Sequence, residues 1–380
     1  MRTRLAIILL VLLLPALVFG VAPTETYVDP SLDSLSGAGS VGDPYGDLQY
    51  ALDTMTRDAT NGDRVNVKAG TAEVTTGTLT IATYGVPTDV APLIIRGYAS
   101  AAGDGGIGQI DGDGSYGCFA GSEDYVHIQD MEVFNGGSAV LVNLDNSCSI
   151  IDVTIHNSTG NLLHADIRTQ VIRCYFYDGS ANGALVDGGL VRDCYFANGT
   201  KDFTNALRIF SSSSASRNIF NLDGASNGIW ATGVGLEVTN NSILSASGTG
   251  AGIILNANDQ STVLNNIVEG FIGVGGNAID FNSNTINNAV FAGQAYYNNT
   301  NSEANKVAGE WLIDADNEDP LASSGFAKSG ANTFANRFVY YAPLDVGSVW
   351  AGGWPNGANV DKGAVQHVAA GGTTVIVIDD

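Results

Sequence analysis

The sequence predicts an all-β solenoid of parallel strands. Three observations carry that prediction: an internal repeat of 20–25 residues, an acidic complement dominated by Asp, and repeats too short and broken to hold a helix. The repeat is anchored on one apolar position, in "QDMEV" (Val133), "IDVTI" (Ile155), "RCYF" (Phe176), "DCYF" (Phe196), "RNIF" (Phe220), "NNSI" (Ile243), "NNIV" (Val268) and "NNAV" (Val290). Successive anchors lie 22, 21, 20, 24, 23, 25 and 22 residues apart. A second column keeps step half a repeat later, in segments starting at 138, 161, 183, 205, 228, 252 and 277. Each copy holds short alternating apolar runs punctuated by Gly, Asn, Asp and Ser, the pattern of strands joined by tight turns. One such unit cannot bury its apolar face alone, whereas stacked copies share a continuous core.

Composition agrees. Of 39 acids 30 are Asp and 9 are Glu, and Asp favours turns where Glu favours helices. The first segment, "MRTRLAIILLVLLLPALVFG", has two arginines, an apolar run and small residues, the layout of a signal peptide over residues 1–20. Its removal takes the formal charge from −23 to −25, which argues against nucleic acid or an anionic membrane as partner. No later stretch is apolar for the roughly 18 residues of a membrane span, so the expectation is an exported, soluble protein. Oligomeric state is not legible.

Within the frame, the residue two before the anchor is Met131, Val153, Cys174, Cys194, Asn218, Asn241, Asn266 and Asn288. The asparagines predict an inward ladder, each side-chain amide bonding to the next coil about 4.8 Å away. Cys174 and Cys194 fall in the same column. The sequence leaves open whether they form a stacked thiol pair, a disulfide or part of a metal site. The thiol pair is preferred because parallel side chains on stacked coils hold the Cβ atoms somewhat too far apart for a disulfide, and the metal site comes last because zinc wants four ligands. Cys118 and Cys148 stand outside the column.

Before the repeats, residues 43–58 predict a capping helix with Asp43 as N-cap, Pro44 at its first position and Leu48, Ala51, Leu52 and Met55 on one face. The expected organisation is a segment with this helix over 21–62, a solenoid of 8–11 coils over 63–300, an irregular cap over 301–368 and a strand tail over 369–380.

At this level the chain resembles the right-handed parallel β-helix proteins of the pectin-lyase-like superfamily. "YVDP" (27–30), "DLQYALD" (47–53) and "GDRVNVKAGT" (62–71) are similar to the opening of many secreted members, and "NVDKGAVQ" (359–366) to their closing D-x-G-A-x-Q motif. The resemblance implies the fold, which serves lyases, hydrolases, epimerases, tailspikes and adhesins alike. The paired aspartates, Gly-His-Gly and Arg-x-Lys of the polygalacturonase-like members are missing from the repeats. Lyases of this fold typically use Lys or Arg as base beside acidic Ca²⁺ ligands, and only five lysines are present.

The second column supplies the candidate site. Its third residues (Val140, Leu163, Leu185, Leu207, Trp230, Ile254, Ile279) are expected to point inward and its fourth (Leu141, His164, Val186, Arg208, Ala231, Leu255, Asp280) outward. His164 and Arg208, with Lys201 from the following loop, are the candidate catalytic groups, and Asp166, Asp187 and Asp202 the candidate Ca²⁺ ligands. Trp230 and Asp280 are the candidate substrate contacts. Trp230 is core in this register, and a slip of one residue turns it into an exposed stacking platform for a sugar ring. The function that follows is binding or processing of an extracellular polysaccharide, with Ca²⁺-assisted elimination at a uronate as its catalytic form. The alternative is a non-catalytic surface, adhesion or spike-like solenoid.

Overall fold

The computed structural model describes residues 23–314, apart from 33–34, 36, 82–85, 122, 246, 257–259, 283–288, 293–294, 298 and 306–310. The expected signal peptide and strand tail, the expected C-terminal cap beyond residue 314, the D-x-G-A-x-Q segment and Asn288 lie outside the described residues. Three parallel sheets wind around one core, with twelve strands in sheet A and ten each in sheets B and C. The central coil shows the path: Tyr175–Gly179 in sheet C, Asn182–Val186 in sheet B, Leu190–Arg192 in sheet A, then Tyr195–Ala197 in sheet C again. Parallel crossovers of this kind are right-handed.

The anchors stack in register through sheet C, Val133 on Ile155 on Phe176 on Phe196 on Phe220 on Ile243 on Val268. The next place belongs to Tyr296, not Val290. Val290 pairs with Thr262 in sheet A; "NNAV" imitates the frame from the wrong sheet. The sheets also run past residue 300, because Asn301–Ala304 joins sheet B and Trp311–Asp314 joins sheet A.

The tight turn from sheet A into sheet C explains the repeat's polar signature. Asp130, Asp152, Arg173, Asp193, Arg217, Asn240 and Asn265 all have φ between 51 and 58°, the left-handed region that Asp and Asn tolerate best. The two arginines are exceptions with a compensation. Arg173 Nε donates to Asp152 at 2.7 Å, and Arg217 forks onto Asp193 at 2.9 and 3.1 Å, so each is clamped to the turn one coil earlier.

The residue after this turn points inward. Asn218, Asn241 and Asn266 are fully buried, and Asn218 Nδ2 donates to Asn241 Oδ1 and Asn241 Nδ2 to Asn266 Oδ1, both at 3.0 Å. Cys194 and Cys174 continue the column: the Cys194 N–H donates to Asn218 Oδ1 at 2.9 Å and the Cys174 N–H meets Cys194 Sγ at 3.4 Å. All four cysteines are buried free thiols. Burial pushes the Cys194 thiol far above its ordinary pKa, which makes it inert while folded.

The capping helix is shorter than expected, Leu48–Thr54, and Asp47 rather than Asp43 is its N-cap, accepting from the Tyr50 N–H at 2.6 Å. The reason lies in residues 43–46. The Tyr45 N–H donates to the Tyr27 carbonyl at 2.9 Å and the Asp29 N–H to the Tyr45 carbonyl at 2.8 Å, so this stretch is committed to the edge of sheet A. Leu48, Ala51 and Leu52 are buried as expected. Gln49 caps the first strand of sheet B: its Oε1 accepts from the Thr80 N–H at 2.8 Å and its Nε2 donates to the Thr80 carbonyl at 3.0 Å. An amide side chain thus imitates a strand and closes an edge. Gln49→Ala is expected to cost about 1 kcal/mol in denaturant melts and to raise self-association measured by light scattering.

Candidate functional site

Sheet B presents the candidate face, in a register that differs from the expected one. The inward column is Val142, Leu163, Ala184, Leu207, Ile229, Ile253 and Ile279; the outward column is Asn143, His164, Leu185, Arg208, Trp230, Ile254 and Asp280. Leu185, Trp230 and Ile254 therefore face outward, and Val186, Ala231 and Leu255 are core. The expected frame is off by one in three copies and by two in the first, where Val142 takes the inward place given to Val140 and Leu141, expected outward, is buried. "GALVD", "GIWAT" and "GIILN" start on glycines, whereas Asn182, Asn227 and Ala251, one residue earlier, are the true equivalents of Asn205 and Asn277. These asparagines form a second ladder at the strand starts, Asn182 Nδ2 to Asn161 Oδ1 at 2.8 Å, Asn205 to Asn182 at 2.9 Å and Asn227 to Asn205 at 3.0 Å.

The corrected register brings Arg208 and Trp230 side by side. The Arg208 guanidinium lies 4.8 Å from the Phe210 ring centroid and 5.5 Å from that of Trp230. Two aromatic rings thus hold the cation by its attraction to their π-faces. Phe210 is a site residue that the sequence reading missed, although it stands two after Arg208 and must share its face by strand alternation. Arg208 Nε, Trp230 Nε1 and Thr232 Oγ1 are shielded from solvent and have no hydrogen-bond partner among the described residues. Three polar atoms on adjacent outward positions lack a partner, at a cost in free energy, and a ligand reaches them only when the side chains over them shift.

The other expected residues divide. His164 does lie in the outward column, separated from Arg208 by Leu185, and its Nε2 is 3.6 Å from Asp166 Oδ1. Lys201 leaves this group: its Nζ donates to Asn157 Oδ1 at 2.9 Å, on the sheet C side of the solenoid. Asp280 is spent on structure, accepting from the Asn282 N–H and from Asn305 Nδ2, both at 2.8 Å.

Asp166, Asp187 and Asp202 do not form the expected Ca²⁺ set. Asp166 and Asp187 follow the ends of neighbouring sheet B strands, whereas Asp202 precedes the strand Asn205–Ile209 and accepts from Asn198 Nδ2 at 3.0 Å. They sit at opposite ends of the sheet. Among the described residues no three acid, histidine or cysteine side chains gather as metal ligands.

Sheet C carries a second outward cluster that the sequence reading also missed. Phe134, His156 and Tyr177 stack at centroid distances of 5.3 and 4.3 Å, and Tyr175 lies 4.7 Å from Tyr177 and 5.2 Å from Tyr195. Glu132 accepts from Gln109 Nε2 at 2.6 Å and pairs with His156 Nε2 at 3.0 Å. The His156 hydrogen bond holds the Glu132 carboxyl below its usual range. Rings stacked along the solenoid cover each other's faces, and the carboxylate is taken up by its neighbours. This cluster braces the coils, whereas the Arg208–Trp230 cluster leaves polar atoms unanswered.

No family profile and no curated protein sequence matches the chain. Among solved structures, XylC in complex with xylose superposes with a TM-score of 0.51 at 11% identity, over 74% of this chain and 70% of that one. The fold is a right-handed parallel β-helix. Pectate lyase Pel9A (TM-score 0.45, 17% identity, 78% of this chain and 79% of that one) and GH136 lacto-N-biosidase from Eubacterium ramulus (0.47, 11%, 76% and 66%) also match.

Proposed function

We propose that the outer face of sheet B binds an extended glycan, with Trp230 as the stacking platform and Arg208 as the polar anchor. The observation that carries this reading is the group of unpartnered polar atoms, Arg208 Nε, Trp230 Nε1 and Thr232 Oγ1, set among aromatic rings on an outward face. A sugar supplies both halves of what such a cluster lacks, an apolar ring face for the indole and hydroxyl or carboxylate oxygens for the donors. The apolar leader in the sequence of residues 1–20 supports a site of action outside the cell.

His164, paired with Asp166, is the imidazole on this face and the group available to take a proton from a bound sugar. The carboxylates Asp280 and Asp202 are held by asparagines, which favours binding or elimination over a two-carboxylate hydrolysis. The Ca²⁺ expected from the sequence has no gathered donor set, and no step is assigned to it.

The neighbour XylC was solved with xylose, so xylo-oligosaccharides join polyuronates, alginate and glycosaminoglycans in the screen. Trp230→Ala and Arg208→Ala are each expected to weaken the best ligand by about tenfold or more in titration calorimetry. The same ligand incubated with wild type and with His164→Ala, with and without Ca²⁺, tests turnover through the absorbance of an unsaturated product. Binding without turnover identifies the non-catalytic solenoid. Equal affinity in wild type and both face variants overturns the site.

A further inference from the structure

The N-terminal cap contains a carboxylate where the core should be apolar. Glu73 lies in the first strand of sheet C, Ala72–Val74, and pairs with Ile110, a fully buried inward residue of the next coil. Its register therefore aims it into the solenoid, and it is only 7% exposed. There it accepts the Leu48 N–H, at the first turn of the capping helix. Asp47, the N-cap of that same helix, brings a second carboxylate to the same end.

We propose that Glu73 makes the N-terminal cap acid-responsive, with the helix Leu48–Thr54 docked firmly when Glu73 is protonated and loosened when it ionises against Asp47. Of the other charged groups nearby, Asp63 begins the facing sheet A strand and is occupied by the Asp58 N–H at 2.9 Å, and Asp111 is turned to Asn135 Nδ2 at 2.8 Å. Neither supplies a counter-charge. Its register partner Ile110 and the buried residues Val65, Val67 and Leu79 of the first coils are apolar. An ionised Glu73 is thus both dehydrated and repelled, while the Leu48 N–H is its compensation.

Burial first, and Asp47 second, raise the Glu73 pKa from 4.5 to about 7. The sign follows by linkage. The docked state binds the proton more tightly than the open one, so docking is fully supported below the ordinary pKa of 4.5 and weakens as pH rises towards 7. Above that both states are ionised and the dependence ends. Across the window, opening of the helix relative to the coils is expected to increase about a hundredfold.

The test is native-state hydrogen exchange from pH 4 to 9, with rates corrected for intrinsic exchange and the helix compared with central sheet C strands. In wild type the helix should lose protection between about pH 4.5 and 7 while the coils do not. Glu73→Gln should keep the helix protected throughout. Asp47→Asn keeps a competent N-cap and, with the Asp47 repulsion removed, should make the loss smaller and end it at lower pH. A helix whose protection is flat across this range in wild type, or falls equally in Glu73→Gln, overturns the proposal.

Discussion

Asn241→Ala is expected to destabilise the solenoid by about 4 kcal/mol, read from denaturant melts followed by far-UV circular dichroism. Asn241 is fully buried and makes four bonds at once. Its Nδ2 donates to the Ala215 carbonyl at 2.9 Å and to Asn266 Oδ1 at 3.0 Å, and its Oδ1 accepts from the N–H and the Nδ2 of Asn218, both at 3.0 Å. Truncation strands these partners in a dry interior, and each buried group left unsatisfied costs about 1–3 kcal/mol. The Asn240 turn, with φ of 56°, loses its anchor as well. Asn241→Asp is the informative companion, because it keeps the acceptor but removes both donors and buries a charge. It should be at least as harmful at neutral pH and recover partly in acid.

Phe196→Ala is expected to cost a similar amount, about 4 kcal/mol, by a different mechanism. The Phe196 ring is stacked between Phe176 and Phe220 at 4.8 and 4.7 Å, nearly parallel to both, and all three are fully buried. Truncation forfeits the transfer energy of the ring and leaves a cavity that the neighbouring coils cannot collapse into, because their spacing is fixed by sheet hydrogen bonds. Phe196→Leu, which refills most of the volume, should lose less than half as much. If the two truncations are combined, their effects should fall short of additive, because Asn218, a direct partner of Asn241, lies two residues before Phe220 in the same coil.

These two positions were the most legible part of the sequence. A residue aimed into the core repeats its chemistry from coil to coil, so Asn218, Asn241 and Asn266 announce themselves as a column. Outward residues obey no such rule. Their register had to be borrowed from the frame, and the frame slipped at Gly183, Gly228 and Gly252, where a small residue follows the true ladder asparagine or, at Gly252, Ala251. That slip buried Trp230 on paper and hid its pairing with Arg208. Lys201 was misplaced because its partner Asn157 is two coils and 44 residues away, a contact that no local pattern encodes. The outward stack of Phe134, His156 and Tyr177 was within reach, since each sits one residue after a sheet C anchor.

Ligand is expected to meet the chain on the outer face of sheet B. The most direct measurement is hydrogen–deuterium exchange with and without the oligosaccharide that binds best in the glycan screen. Slowed exchange concentrated in Asn182–Val186, Asn205–Ile209 and Asn227–Thr232, and lost in Trp230→Ala, is the predicted result. Slowed exchange confined to sheet A or to the Phe134–His156–Tyr177 face of sheet C, unaffected by Trp230→Ala, would contradict it.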